Sequence, residues 1–311
     1  MASQTPNNLS ETSTRCSSQE NLESLKSHNN DIETGVRTSP SSSSDSSLTI
    51  FSSLSRHFSA ELSTRGSDII LLLCWFTTGF LDSTIFQAYR TFVSMQTGNT
   101  VFIGLGASAN TVNTPTLTQV RPYGWLKSLV SLIAFVTGSF IFARIGNVLG
   151  GPNRRLTFTF SFATQTLCIF LSAVLVQTGI VESRLEYIGE DIDWMHLIPI
   201  ILLSFQAPAQ TACGRAMGLW EVPTVVVTTM IYDFASDKKV FAGLRENASR
   251  NRRFAGYCCL VVGAILGGFV TVHTRHIAVS LWVSMGIKAC VTLAWMVWPA
   301  KKAGRGEGGG C

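Results

Sequence analysis

The sequence predicts an all-α membrane protein, a polytopic bundle of six to eight transmembrane segments in two repeated halves with a short broken segment in each. Three observations carry this. Of 311 residues, 46% are hydrophobic and only 14% charged, against roughly 25% charged in an average soluble domain. Mean hydropathy is +0.28 although the first 66 residues are polar, so residues 67–311 hold the apolar excess. That excess falls into eight apolar segments separated by short, charge-bearing loops, the pattern of helices threaded through a bilayer.

The charges divide unevenly. Residues 1–66 carry five Lys/Arg and seven Asp/Glu, and residues 67–311 carry nineteen and twelve. The basic groups sit in loops between apolar runs, where they orient helices, and are not interleaved with aromatics as a nucleic-acid surface requires. No nucleic-acid partner is expected; the lipid bilayer is. The eight cysteines show no CxxC spacing and fall mostly in apolar stretches, so free buried thiols are expected.

Residues 1–47 are rich in Ser, Thr and Asn and include Ser41-Ser42-Ser43-Ser44-Asp45-Ser46-Ser47. Such a stretch buries too little apolar surface to offset chain entropy, so a disordered tail is expected, either a solvated leader or a phosphoregulated segment. The start, MASQTPNNLS, lacks a basic region followed by an apolar core, which leaves targeting to the first span. In residues 48–66, Leu48, Phe51, Leu54, Phe58 and Leu62 recur at helical spacing, with Arg56, His57 and Arg65 beside them. This reads as an amphipathic juxtamembrane helix on the membrane surface or a helical extension of the first span.

The transmembrane domain is expected over 67–300, with halves at 67–181 and 194–300 and a short tail at 301–311. Its segments run from Ile69 to Tyr89, Phe92 to Ala109, Ser128 to Ala143, Leu156 to Val181, Trp194 to Gly214 (broken by Pro199 and Pro208), Val222 to Phe234, Phe254 to Thr274 and Ile277 to Trp298. About 20 residues cross the hydrocarbon, so the second and sixth are too short to be secure spans.

Those two short segments occupy corresponding places. Thr97 lies 131 residues before Thr228, the third and seventh segments are offset by about 130, and the fourth and eighth by about 120. If all eight segments cross, the halves are parallel; if the short ones dip in and return, six cross and the halves are inverted. Helix length and an acidic loop at Glu182 to Asp193 favour six. Either way the Lys/Arg of residues 238–253 place both termini in the cytoplasm.

Short, Gly- or Pro-interrupted segments in matching positions point to a transporter site. The string Thr97, Gly98, Asn99 supplies hydroxyl, amide and a residue permitting positive φ or close approach; its plainer reading is a polar helix contact. Asp82 in the first segment is read either as a coupling or substrate-binding carboxylate or as a fixed pair with Arg215 or Lys288. Gln206 and Gln210, four apart, share a helix face and line the same cavity or join helices. Thr228 and Asp233 complete the candidate pathway. Gly263 and Gly267 form a small-xxx-small pair suited to close packing or to a homo-oligomer. No HExxH, GxSxG or Walker loop is present, and the five histidines are not clustered with cysteines. No enzymatic activity, metal or cofactor is therefore expected.

Gly79-Phe80-Leu81-Asp82, Phe92 and Met95-Gln96-Thr97-Gly98-Asn99-Thr100-Val101 resemble the first signature of the YoaK family, bacterial and fungal integral membrane proteins without an assigned function. Phe205-Gln206-Ala207, Pro223 to Thr229 and Asp233 resemble its second signature, with Thr229-Met230 in place of the expected polar turn. The resemblance covers about residues 67–300. It implies a multi-pass protein of about six spans and agrees with a secondary-transporter-like protein moving a small solute or ion. The competing reading is a membrane scaffold or regulator working through its Ser-rich tail.

Overall fold

The structure is a computed structural model that describes residues 44–109, 124–182, 193–218 and 227–301. The chain divides into two units, residues 1–50 and 51–311. Of the first, only the helical backbone of residues 44–50 is described; the expected tail is otherwise outside the described residues, as are residues 302–311 and most of the acidic loop.

The described residues are all-α. After α1 (Ser44–Ser59) come α2 (Asp68–Tyr89), α3 (Gln96–Ala109), α4 (Trp125–Val148) and α5 (Arg155–Gln177). The second half brings a 3-10 turn (Trp194–His196), α6 (Leu197–Ala216), α7 (Val227–Ala235), α8 (Ala248–Thr274) and α9 (Ile277–Val297). Six of these helices are long and apolar enough to cross a membrane: α2, α4, α5, α8, α9, and α6 together with the turn that leads into it. The protein is a multi-pass membrane protein.

Contacts fix the helix directions. Arg155 at the start of α5 donates to the Trp298 carbonyl beyond α9 (2.6 Å), which defines one end of the bundle. At the other end Tyr89, closing α2, stacks on His196 (4.4 Å), and Lys127 in the first turn of α4 lies 3.5 Å from the same imidazole. Gly79 meets Leu260 while Gly267 meets Phe80, so α2 and α8 run in the same direction. Consecutive long helices therefore alternate. Each half holds three, an odd number, so the second half is threaded in the opposite sense to the first. The helix pairings agree with a two-fold relation: α2 packs on α8 as α6 packs on α4, and α5 packs on α9 across the middle.

The short helices obey the same relation. α3 starts beside Ser131, inside the bundle, and runs back to Trp125, where α4 begins. In α7, Met230 packs with Leu260 while Phe234 stacks on Phe254, nearer the start of α8. Both helices therefore begin inside the bundle and return toward the end where the following long helix starts. Two expectations change. The segment at 92–109 is helical only from Gln96, because residues 91–95 form the inner turn, and α6 continues through Pro208 unbroken. The Pro208 ring instead packs where a side chain at Gly138 would stand (3.0 Å).

Glycines set the helix separations. A Cβ at Gly263 would lie 2.1 Å from the Phe76 carbonyl oxygen, at Gly267 2.3 Å from that of Phe80, and at Gly138 2.1 Å from that of Phe205. The Gly263/Gly267 face is thus occupied by α2 of the same chain, which removes it as the expected homo-oligomer surface.

The juxtamembrane segment does not extend α2. α1 ends at Ser59, and residues 60–63 cross between the start of α5 and the end of α9: Leu62 N–H donates to Asn153 O (3.0 Å) and Ser63 N–H to Pro299 O (3.0 Å). Leu62 is buried in the apolar cluster of Phe158 and Trp295, while Leu54 stays exposed. The cysteines among the described residues are free.

The basic loop before α8 is folded on itself. Asp237 accepts from the Asn247 amide (2.9 Å) and the Lys239 N–H (2.8 Å), and Asn247 accepts from Arg250 N–H (3.0 Å), capping α8. These bonds, the Asn247 amide foremost and Arg253 in addition, hold the Asp237 carboxyl below the usual carboxylate range. A lowered folded pKa stabilises above the ordinary value and is lost as pH falls through the folded one. Acidification below about pH 3.9 is therefore expected to lower the protection of the Lys239 and Arg250 amides, relative to the intrinsic exchange rate at each pH, before that of α5 changes. Unchanged protection of both amides down to pH 2 would refute this.

Candidate functional site

Two polar assemblies lie inside the bundle. The first holds the inner turn before α3. Arg90 closes α2 in the left-handed conformation (φ 57°), and the chain reverses into the bundle. There Asp82, 2% exposed, accepts from the N–H groups of Val93 (2.8 Å) and Ser94 (2.9 Å) and from the Ser94 hydroxyl. Its negative charge stands at the N-terminal end of α3, where the helix dipole favours an anion. Asn99, fully buried, completes the turn from the other side. It accepts from Phe92 N–H (3.0 Å) and Thr91 (3.0 Å) and donates to Phe92 O (2.8 Å), Gln96 (2.9 Å) and Ser131 (3.0 Å). Gly98 is helical and has no positive φ; a Cβ there would stand 2.7 Å from the Phe92 ring, so close approach is its role.

The Asp82 carboxylate is therefore occupied by the turn it holds, and it pairs with neither Arg215 nor Lys288. Asp82→Asn keeps an acceptor for both backbone N–H groups and is expected to cost about 1 kcal/mol, the difference between a charged and a neutral hydrogen bond. Asp82→Ala orphans two buried N–H groups at about 1–3 kcal/mol each. Thermal unfolding of the two variants in detergent separates these effects. Equal losses would mean that the charge, and not the acceptor geometry, holds the turn.

The second assembly surrounds Lys288, midway along α9 and 2% exposed. Its ammonium donates to Gln165 Oε1 of α5 (2.7 Å) and Gln210 Oε1 of α6 (2.7 Å), lies 3.9 Å from Cys74 Sγ of α2, and faces the Phe162 ring (5.3 Å). Gln210 in turn donates to Thr78 on α2 (2.7 Å). Helices from both halves thus converge on one cation whose partners are neutral. The Gln165 amide nitrogen and the Gln206 carbonyl oxygen, both buried, have no hydrogen-bond partner among the described residues.

Apolar clusters close this layer on both sides, one around Tyr89, Ile200 and Leu281 and one around Phe158, Cys213 and Trp295. A narrow cavity of about 10 Å³, room for about one water, lies between Thr78, Ser94, Gln206, Gln210 and Lys288. A larger one of about 510 Å³ opens between α4, α5 and α6, at the end where α4 and α6 finish. Its lining includes Ser161, one turn from Gln165, and Cys213, one turn from Gln210.

The residues expected at one site are therefore distributed. Asp82, Gly98 and Asn99 build the inner turn; Gln206 and Gln210 reach the narrow cavity behind it. Thr97 and Thr228 are exposed, and Asp233 is half-buried on α7, so none of these three belongs to either assembly. Lys288 and Gln165 lie outside the candidate site that the sequence suggests; their available signals are a cation and an amide inside otherwise apolar spans. Ser94 and Ser131 gave none. Among the described residues no cluster of His, Cys, Asp or Glu has the makings of a metal site.

No curated protein and no solved structure matches the chain. Residues 70–294, which hold all six long helices in whole or in large part, match the family model described as "Protein of unknown function (DUF1275)". The match over most of its length makes the chain a member of the DUF1275 family, the YoaK-like membrane proteins.

Proposed function

We propose that the protein is a secondary transporter for a small solute or ion, with its site in the polar layer around Lys288. The observation that carries this reading is the convergence of Lys288, Gln165, Gln210 and Thr78, contributed by both inverted halves, on one buried point between two apolar closures. In inverted-repeat transporters the site lies near the bilayer midplane between the halves, and a short or broken segment marks each half. A buried ionisable group at membrane depth is expensive and is best explained by a pathway. The inner turn before α3 serves as scaffolding for that layer, and no catalytic step is assigned to any of these residues.

The reading is tested by comparing solute content in cells that lack the protein, overproduce it, or overproduce Gln210→Leu, together with flux in vesicles containing the purified full chain. A solute or ion whose distribution follows wild type, and which Gln210→Leu moves at least about tenfold more slowly, supports it; tenfold corresponds to about 1.4 kcal/mol on the barrier. Wild-type and Gln210→Leu cells with identical contents, and vesicles without flux, would refute it.

A further inference from the structure

The charges that border the cavities share one sign. The residues lining the larger cavity include Arg215 at its exposed mouth and no carboxylate, and those lining the narrow one include Lys288 and no carboxylate. Asp82, the buried carboxylate nearby, is turned to the Val93 and Ser94 N–H groups. On the α5 side of the cation the unpaired group is a donor, whereas the unpaired Gln206 oxygen belongs to a residue of the narrow cavity. The Gln165 amide nitrogen, 0% exposed and without a partner, lies on the residue whose oxygen already holds Lys288. Ser161 places a hydroxyl in the wall of the larger cavity one turn away. An ammonium without a counter-charge in a water-poor layer is costly unless something neutralises it.

We infer that Lys288, with Gln165 and Ser161, forms a binding site for a small monovalent anion that enters through the cavity between α4, α5 and α6. This rests on the proposed transport reading for its biological use, but the site itself is defined by binding. A single cation matches a single negative charge, and the larger cavity, which Ser161 lines, has room for an ion of halide, nitrate or formate size. Arg215 at the mouth raises the local concentration of anions and so acts on their entry rate. The anion is either inorganic or the carboxylate of a small acid; both present the same chemistry to an ammonium and an amide N–H.

The test uses the purified full chain in detergent, in a gluconate buffer of constant ionic strength. Chloride, nitrate, formate or acetate is substituted for gluconate, and thermal unfolding is followed. A ligand that binds only the folded state raises the unfolding temperature in a saturable way. Saturable stabilisation by at least one of these ions is expected in wild type, about tenfold weaker in Gln165→Leu and absent in Lys288→Met. Preference for chloride and nitrate marks an inorganic ligand; preference for formate and acetate marks a carboxylate. Equal shifts in wild type and Lys288→Met, or no saturable shift in wild type, overturn the site. Should Lys288→Met not fold, calorimetric titration of wild type and Gln165→Leu with nitrate and formate decides, and heats that are absent or identical in both overturn it. Binding without flux in vesicles would retire the transport reading and leave the site. Flux of a cation or neutral solute without anion binding would retire the anion and leave the transport reading.

Discussion

Asn99→Leu is expected to be among the most damaging single substitutions in the chain. The Asn99 side chain pairs with both the N–H and the carbonyl of Phe92 and also bonds Thr91, Gln96 and Ser131, all at 3.0 Å or less. Leucine is close in size but returns none of these bonds. The Phe92 N–H would be left without its partner, at about 1–3 kcal/mol for a buried group that stays unsatisfied, while the Phe92 carbonyl would keep only the Ser131 hydroxyl (2.7 Å). Against a typical stability of about 5–15 kcal/mol, the inner turn and α3 should detach from α4 or the whole domain should unfold. Fluorescence-detected size exclusion and thermal unfolding measure the loss. Asn99→Asp keeps the acceptor and loses the donors, so it should fall between Leu and wild type. Thr97→Ala, two residues away and exposed, should stay within about 0.5 kcal/mol of wild type. Equal stability of Asn99→Leu and Thr97→Ala would show that the turn does not depend on this amide.

Gly263→Val is expected to lower the yield of folded protein severely and to lower the unfolding temperature of what remains. Its Cβ would stand 2.1 Å from the Phe76 carbonyl oxygen, an atom of the α2 backbone that no rotamer change can move. Overpacking of this kind costs about 1–3 kcal/mol where side chains can yield, and separating two backbones exceeds that. Gly267→Val should behave alike, because its Cβ would stand 2.3 Å from Phe80 O. Gly286→Ala on α9 is the control: nothing lies within 4 Å of that position, and replacing a helical glycine gains about 0.5–1 kcal/mol. If Gly263→Val left the unfolding temperature unchanged and altered only oligomeric state, α2 would not be the partner of this face.

Much of the fold was legible because the bilayer demands it. Long apolar runs such as Ile277 to Trp298 coincide with α9 almost residue for residue, and the paired short segments at 92–109 and 222–234 anticipated α3 and α7. The direction of those short helices was not legible. It depends on where α3 docks, and the docking atoms are hydroxyls of Ser94 and Ser131, residues that are common in any helix. The position of Asp82 and Asn99 at the heart of the protein was also readable, since a carboxylate and an amide inside apolar stretches must be satisfied. Their part in the fold was not, because sequence spacing does not reveal that the acceptors of Asp82 face backbone N–H groups eleven and twelve residues away. The Lys288 assembly joins α2, α5, α6 and α9, and its partners are separated by up to 214 residues. No local pattern connects them.

Two antiparallel copies of one helical unit can be unequal in two ways, and for identical copies the two would have the same energy. This chain rests in one of them. The seam of α4 with α5 and α6 gapes at one end, while at the matching place of the other half α8 lies close on α2, with Gly268 tight against Gln87 and Ser83. The difference reflects the divergence between the halves. α8 offers α2 the consecutive close approaches of Gly263 and Gly267, whereas α4 offers α6 the single one at Gly138. The side on which the bundle opens thus goes with a difference of glycine count between two otherwise matching helices.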